Sequence, residues 1–434
     1  MLALSLGFLI AFGLILLQVP IATALGLIGF GGVVALNGLT PAISMVAAIT
    51  RESTLAYTLI VLPLFVLMGN LVAGAGVSGD LFRVAQALIG RRRGGVAMAT
   101  VAACGAFGAI CGSSVATAAT MGKVAIPEMR RLGYGDRLAA AAVAAGGTLG
   151  ILIPPSVILV VYGVATQTHI GELFAAGIVP GLVAIVGYML AVRFMVWRDP
   201  AQAPLAAAAE KLVPAQLISL WPVAAIFGIV MGGIYGGLFT SVEASGIGAA
   251  AALLYALTRH NLTLRQIGEI FADSARTSAM MFAIILGAAL FGEFVNITGV
   301  HEGLLALVKE SGLPPFGVIM VMVAIYLLLG CVLESLSMIL LTVPIFFPIV
   351  TSLGYDPVWF GILVVVVVEI GLITPPIGVN LFVIRSVTPD IGMSAIVRGV
   401  LPFIVADLAR VLLIAAIPAL SLWLPTLLFR TPAG

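Results

Sequence analysis

The chain has 434 residues, of which 62% are hydrophobic and 9% charged, with a formal net charge of +2. Soluble globular domains carry about 25% charged residues, so the composition excludes an ordinary soluble enzyme, and so small a net charge offers no footing for nucleic acid. The 50 glycines show no period and lie inside apolar runs, which excludes collagen-like and disordered chains; Cys104, Cys111 and Cys331 have neither disulfide nor metal-ligand spacing.

A helix needs about 20 apolar residues to cross a hydrocarbon core of ~30 Å. In chain order such runs fall at 2–17 with 20–36, 55–75, 94–122, 138–165, 173–196, 214–236, 241–258, 277–298, 315–352, 357–387 and 401–425. The run 2–17 is short for a crossing, but it lacks a basic start and a following A-x-A site, so it reads as a retained helix rather than a cleaved signal. Between the runs lie amphipathic stretches at 39–53, 78–91, 263–275 and 301–312, with the spacing of helices that rest at the interface or brace others. A soluble-looking linker, 198–213, divides the chain into 1–197 and 214–434.

An ungapped shift of 221 residues lays one half on the other. Ser114 falls on Ser335, Pro127 on Pro348, Leu132-Gly133-Tyr134 on Leu353-Gly354-Tyr355, and Gly150-x-x-x-Pro154-Pro155 on Gly371-x-x-x-Pro375-Pro376. The chain is a tandem duplication of one membrane unit. Lys and Arg prefer cytoplasmic flanks. Arg91, Arg92 and Arg93 precede the run 94–122, and Lys123, Arg130, Arg131 and Arg137 follow it, so this run enters and leaves on one face as a re-entrant hairpin opening to the cytoplasm. Its mate, about 315–343, has no basic excess and is expected to open outward. Five crossings and a hairpin per half force the second half upside down, with the linker and Arg259 inside and loops 166–172 and 236–241 outside. The expectation is an all-α polytopic membrane protein, an inverted-topology repeat with two hairpins and two broken helices, 138–165 and 357–387.

Non-helical backbone at membrane depth survives only where protein buries it or a cavity needs it. The sequence breaks its helices at the tip 112–117, at 146–156, at Glu334-Ser335-Leu336-Ser337-Met338 and at 371–380. A single Gly-Pro-Pro could simply kink a packed helix; four breaks in repeat-related pairs favour function. Freed carbonyls and hydroxyls suit a dehydrated monovalent cation, and half-helix N-termini suit an anion. Among ionisable residues Glu334 is the leading functional candidate, because it sits at a hairpin tip. Arg385 reads equally as a substrate contact and as a snorkelling anchor. Glu369 aligns with Thr148 and could pair with a neighbouring helix, whereas Glu243, Glu293, Asp407 and Arg410 read as structural. His169, His260 and His301 fall in loops or helix ends. Gly122-Lys123 resembles the end of a phosphate loop, but Val124 stands where Ser/Thr is required, so this chain does not use ATP.

These motifs resemble the large membrane subunit, DctM type, of tripartite ATP-independent periplasmic (TRAP) transporters. The resemblance covers essentially the whole chain: Met68-Gly69-Asn70-Leu71, 108–118 (GAICGSSVATA), Pro127-Glu128-Met129, 150–156 (GILIPPS), 239–244 (FTSVEA) and 371–380 (GLITPPIGVN). It implies an elevator-type carrier of the ion transporter superfamily that imports small organic acids, such as C4-dicarboxylates, across the bacterial inner membrane. It also implies a periplasmic binding protein (DctP type) as donor, a small four-helix membrane subunit (DctQ type) as partner, and sodium as coupling ion with no other cofactor. Carried to matching positions, it implies sodium ligands at Ser113, Ser114, Gly147, Gly150 and Pro154, and at Ser335, Ser337, Gly371 and Thr374. Substrate contacts are implied at Ser114, Ser156, Glu334, Asn380 and Arg385. The chain departs from the family at Glu334, where Asp is usual, and at Ser245, which interrupts an alanine run. Other readings remain open: a stand-alone sodium–dicarboxylate symporter of the same superfamily, or an ion channel. An intramembrane enzyme lacks any metal cluster, Ser/His pair or paired aspartates in the sequence.

Overall fold

The computed structural model describes residues 2–204, 220–259 and 262–430, and no strand occurs among the described residues. The first half runs α1 (Leu2–Leu16), α2 (Ile21–Asn37), α3 (Leu39–Leu55), α4 (Val61–Gly74), α5 (Val77–Ile89), α6 (Gly95–Cys111), α7 (Ser114–Arg131), α8 (Asp136–Thr148), α9 (Val157–Thr166) and α10 (Ile170–Arg198). The second runs α11 (Trp221–Tyr235), α12 (Ser241–Thr258), α13 (Leu264–Ile297), α14 (Val300–Glu310), α15 (Pro315–Gly330), α16 (Ser335–Ser352), α17 (Pro357–Ile373), α18 (Val379–Val387), α19 (Met393–Ala416) and α20 (Ala419–Pro425). Among the described residues, six helical stretches are long and apolar enough to cross a bilayer, including α10, α13 and α19. Linker residues 205–213, the start of the run 214–236 (214–219), His260 and the side chain of His301 lie outside the described residues.

The repeat offset carries α7 (Ser114–Arg131) onto α16 (Ser335–Ser352) end for end, and the start of α8 at Asp136 onto the start of α17 at Pro357. The repeated Leu-Gly-Tyr ends both helices in the same way. Gly133 and Gly354 adopt φ of +78° and +81°. Tyr134 N–H donates to Met129 O (2.9 Å) and Tyr355 N–H to Val350 O (3.2 Å), while the glycine N–H groups reach Arg130 O and Thr351 O. This is the Schellman closure, which requires a residue that tolerates the left-handed region.

The hairpin limbs run further than the apolar runs suggest. Helix α7 continues past 122 to Arg131, where its charged last turn, Arg130 and Arg131, complements the helix dipole. Likewise α16 continues past 343 to Ser352. A second difference separates the halves. The stretch 263–275 and the run 277–298 form one continuous helix, α13, started by a Thr263–Gln266 capping box. In the first half, α3 and α4 are separated by Ala56 and a 3₁₀ turn, Tyr57–Ile60. Pro63 accounts for this: it cannot donate to residue 59, whereas its repeat mate is Ile284. The run 401–425 is likewise two helices, α19 and α20, which part at Ile417–Pro418.

Helices α8 and α17 are buried on every face. In α8 all residues from Leu138 to Thr148 are buried, most of them Ala or Gly, so neighbouring backbones approach closely; α17 is buried from Val358 to Ile373. By contrast Leu182, Val186 and Leu190 on α10 are exposed at i, i+4, i+8, a stripe suited to lipid.

Polar contacts between loops fall into two groups. In one, Asp80 pairs with Arg83 and Arg259, Arg130 pairs with Asp136 (2.6 Å) and Asp390 (2.5 Å), Arg137 donates to Arg398 O (3.1 Å), and Arg93 donates to Ala203 O (3.2 Å). In the other, Arg430 pairs with Glu172 and Asp356 (2.6 Å each), and Tyr162 Oη donates to Pro357 O (2.7 Å).

Candidate functional site

The tip of hairpin one seats in the break of the following helix. Helix α6 stops at Cys111, Ser113 takes an extended conformation, and its side chain caps α7 by accepting from Ala116 N–H (3.4 Å). Helix α8 stops at Thr148, gives one 3₁₀ turn at Leu149–Ile151, and resumes as α9, capped by Ser156. The contact is made at Gly150: a β-carbon there would lie 2.8 Å from both Ser113 O and Thr117 Oγ1. One at Gly147 would lie 2.8 Å from Ala118 Cβ, and Gly112 stands against Pro155 O. Thr117 Oγ1 is buried without a hydrogen-bond partner. Carbonyl and hydroxyl oxygens meet here with no competing charge, a donor set that fits a hard monovalent cation. Sequence reading placed Thr117 at the tip without a role; its position one helical turn after Ser113–Ser114 was the available signal.

Hairpin two repeats the arrangement with different side chains. Gly371 abuts Gly330, where a β-carbon would lie 2.5 Å from Gly330 O. Glu334 occupies the position matching Ser113 and does the same work, capping α16 by accepting from Ser337 N–H (3.4 Å) and Ser337 Oγ (3.2 Å). A carboxylate at this point is thus a helix cap, favoured by the positive end of the dipole. Ser335 and Ser337 are buried, whereas Thr374 donates back to Ile370 O (2.6 Å) at the end of α17. The Pro154–Pro155 and Pro375–Pro376 peptide bonds are both cis.

Of the candidate substrate residues, Ser114 and Asn380 come together across the two halves. Asn380 Nδ2 donates to Ser114 Oγ (2.8 Å) and to Ala144 O (3.1 Å), and all three residues are buried. Ser156 donates to Ile151 O and accepts from Leu159 N–H (3.3 Å), beside the hairpin-one tip. Arg385 is not brought to this point: its guanidinium donates to Ile391 O, near the Arg130–Asp390 pair. The start of α7 meets the start of α18 through Ser114 and Asn380, and Gly112, just before α7, stands against Pro155, just before α9; helix N-termini favour anions. A separate open space, a cavity of about 480 Å³, lies between α3 and α13 on one side and the end of α9 and the middle of α16 on the other; neither Ser114 nor Asn380 lines it. Its carboxylates, Glu52 and Glu293, attract a cation more than an acid.

A buried polar chain lies behind the breaks. Thr148 Oγ1 and Tyr188 Oη are 2.9 Å apart, Tyr188 Oη donates to Asp407 Oδ2 (2.7 Å), and Asp407 Oδ1 pairs with Arg410 Nη2 (2.9 Å). The same Nη2 pairs with Glu369. The alignment of Glu369 with Thr148 thus has a physical counterpart, since one network holds both. Glu243, by contrast, closes a capping box with Thr240.

The chain matches the family described as "Tripartite ATP-independent periplasmic transporter, DctM component" over residues 8–420. It is 39% identical to the C4-dicarboxylate TRAP transporter large permease protein DctM of Pseudomonas aeruginosa, over 86% of this chain and 87% of that one. It is 34% identical to the sialic acid TRAP transporter large permease protein SiaM of Vibrio cholerae, with the same two coverages. In fold it is similar to the YdaH transporter of Alcanivorax borkumensis, with a TM-score of 0.62 at 17% identity over 90% of each chain. These relatives are transporter permeases rather than enzymes. The chain belongs to the DctM family: it is a TRAP transporter large permease subunit, a multi-pass protein of the inner membrane.

Proposed function

We propose that this permease imports small organic acids by sodium-coupled alternating access, with the hairpins and broken helices moving as an elevator against the remaining helices. The observation that carries the reading is the pairing of each hairpin with the break that follows it, Gly150 on Ser113 and Gly371 on Gly330, the two halves being joined through Asn380 and Ser114. Each pair offers backbone and hydroxyl oxygens to one sodium ion, and the N-termini of α7 and α18 offer N–H groups to a carboxylate. Ser113, Ser114, Thr117, Gly147, Gly150 and Pro154 frame the first cation site; Ser335, Ser337, Gly371 and Thr374 frame the second.

The inverted arrangement is supported by the sorting of loop contacts. The loops assigned inside by charge bond to one another, through Arg130, Asp390, Arg137 and Arg259, and those assigned outside bond through Arg430, Glu172 and Asp356. Substrate reaches the outer side on a periplasmic binding protein, and a small four-helix subunit completes the membrane complex. Each charge moved down 100 mV is worth about 2.3 kcal/mol, so a pair of sodium ions supplies roughly 4.6 kcal/mol before any concentration gradient. Part of this is returned when the acid carries negative charge inward.

The test is uptake into proteoliposomes holding this chain and its small partner, with binding protein and labelled acid outside, with and without an inward sodium gradient. Uptake that needs both is the expected result. Uptake of free acid without the binding protein overturns the tripartite reading in favour of a stand-alone symporter.

A further inference from the structure

The chain Thr148–Tyr188–Asp407–Arg410–Glu369 joins the two broken helices at repeat-matched positions. Thr148 lies 12 residues into α8 and Glu369 12 residues into α17, each about 18 Å along its helix and each immediately before the residues that meet a hairpin. The link passes through α10 and α19, and every member is buried. The charged and titratable groups bearing on it are its own: Arg410 and Asp407 from α19, Glu369 from α17 and Tyr188 from α10.

Stability does not explain this network. A buried ion pair can often be replaced by apolar packing at little cost, and here Glu369 Oε1, Asp407 Oδ1 and Arg410 Nε and Nη1 have no hydrogen-bond partner, Asp407 Oδ1 meeting Arg410 as an ion pair alone, which is unfavourable for buried groups. What the network supplies is a fixed spacing. If a cation ordering the Gly150 contact shifts α8, Thr148 and Tyr188 transmit the shift to Asp407 and Arg410, and thence to Glu369, two residues before Gly371.

We propose that Tyr188 and Arg410 are positioning residues that tie the two cation half-sites together, so that occupation of one favours occupation of the other. This rests on the two-site sodium reading above. The coupling is a free energy shared between distinct sites through a contiguous set of bonds.

The experiment is equilibrium binding of radioactive sodium to the purified full-length chain, comparing wild type with Tyr188→Phe and Thr148→Val. Each variant removes a hydroxyl from the link while preserving side-chain shape. Tyr326→Phe is the control: Tyr326 accepts a buried bond from Thr342 Oγ1 (2.7 Å) inside hairpin two and is no member of the Thr148–Glu369 chain. The expected result is a Hill coefficient that falls from about two toward one in both link variants, with the number of bound ions unchanged and Tyr326→Phe like wild type. Wild-type steepness in Tyr188→Phe and Thr148→Val overturns the inference, as does equal loss in Tyr326→Phe. Absence of sodium binding in the wild type overturns the sodium reading itself, and the inference with it.

Discussion

Asn380 Nδ2 stands 2.8 Å from Ser114 Oγ, so a side chain at the start of α18 closes onto the first residue of α7, 266 positions earlier in the chain. Its second acceptor is Ala144 O on α8, at 3.1 Å. These groups satisfy one another in a site where water is excluded, and a carboxylate entering here would accept the same N–H and O–H. On the proposed reading, substrate binding at this point is an exchange of hydrogen bonds rather than the filling of a gap.

Asn380→Ala strands the Ser114 hydroxyl and removes the second hydrogen bond of Ala144 O, which keeps its helical partner inside α8. The cost of such a buried orphan is about 1–3 kcal/mol, expected as a lower thermal midpoint of the purified protein. Uptake is expected to fall at least ~10-fold, the equivalent of about 1.4 kcal/mol in the barrier. Ser114→Ala leaves Asn380 its bond to Ala144 and should cost less stability. Wild-type stability and uptake in Asn380→Ala would show that the contact is incidental.

Gly150→Ala places a methyl group against the Ser113 carbonyl and Thr117, and Gly371→Ala does the same against Gly330. Neither obstacle is the end of a flexible side chain alone, so each hairpin must shift, at about 1–3 kcal/mol. The sodium concentration giving half-maximal uptake is the quantity to follow. It should rise roughly 5- to 150-fold if that strain falls on the occupied site, and an unchanged value would separate these glycines from cation binding.

The architecture was legible where local chemistry decides it. Leu-Gly-Tyr ends α7 and α16 as its residue types dictate, and the Gly and Pro positions mark both breaks. The capping role of Glu334 was not legible, because a carboxylate at a hairpin tip reads first as a ligand, and the donation from the N–H and Oγ of Ser337 is visible only in the structure. Nor was the link from Thr148 to Glu369. Its intermediates, Tyr188 and Asp407, lie 40 and 259 positions beyond Thr148, and only packing brings them together. The continuity of α13 was obscured because a change from amphipathic to apolar pattern looks like a boundary, although no proline interrupts it.

Removing Arg410 alone leaves both Glu369 and Asp407 buried without their cation. Arg410→Met should therefore destabilise by about 3–5 kcal/mol. Adding Glu369→Gln and Asp407→Asn to Arg410→Met should recover most of that loss, measured by thermal or chemical unfolding in detergent. A triple variant no more stable than the single one would contradict the assignment of charge in this cluster.

Acid should loosen the face that carries Arg130. That guanidinium holds Asp390 below the usual carboxylate range through a charge-assisted hydrogen bond, and Arg131 does the same for Glu128. Because both folded values lie below the unfolded ones, the stabilisation is present above the ordinary carboxylate range, near about 4. It is lost as pH falls through the folded values. Thermal midpoints recorded against pH should decline on that acid limb, and Arg130→Gln should flatten the decline; an unaltered limb would place the acid sensitivity elsewhere.

The proline at position 63, matched by isoleucine at 284, gives the two halves unequal stiffness. Helix α13 is a single rod of 34 residues, roughly 51 Å long, more than the ~40–45 Å of a whole bilayer. Its counterpart is jointed between Leu55 and Val61. A load applied by sliding helices is borne by the rod with little bending and relieved at the joint. In the proposed elevator motion the two sides of the membrane are therefore reached through strokes of different compliance, although the two halves share one sequence pattern.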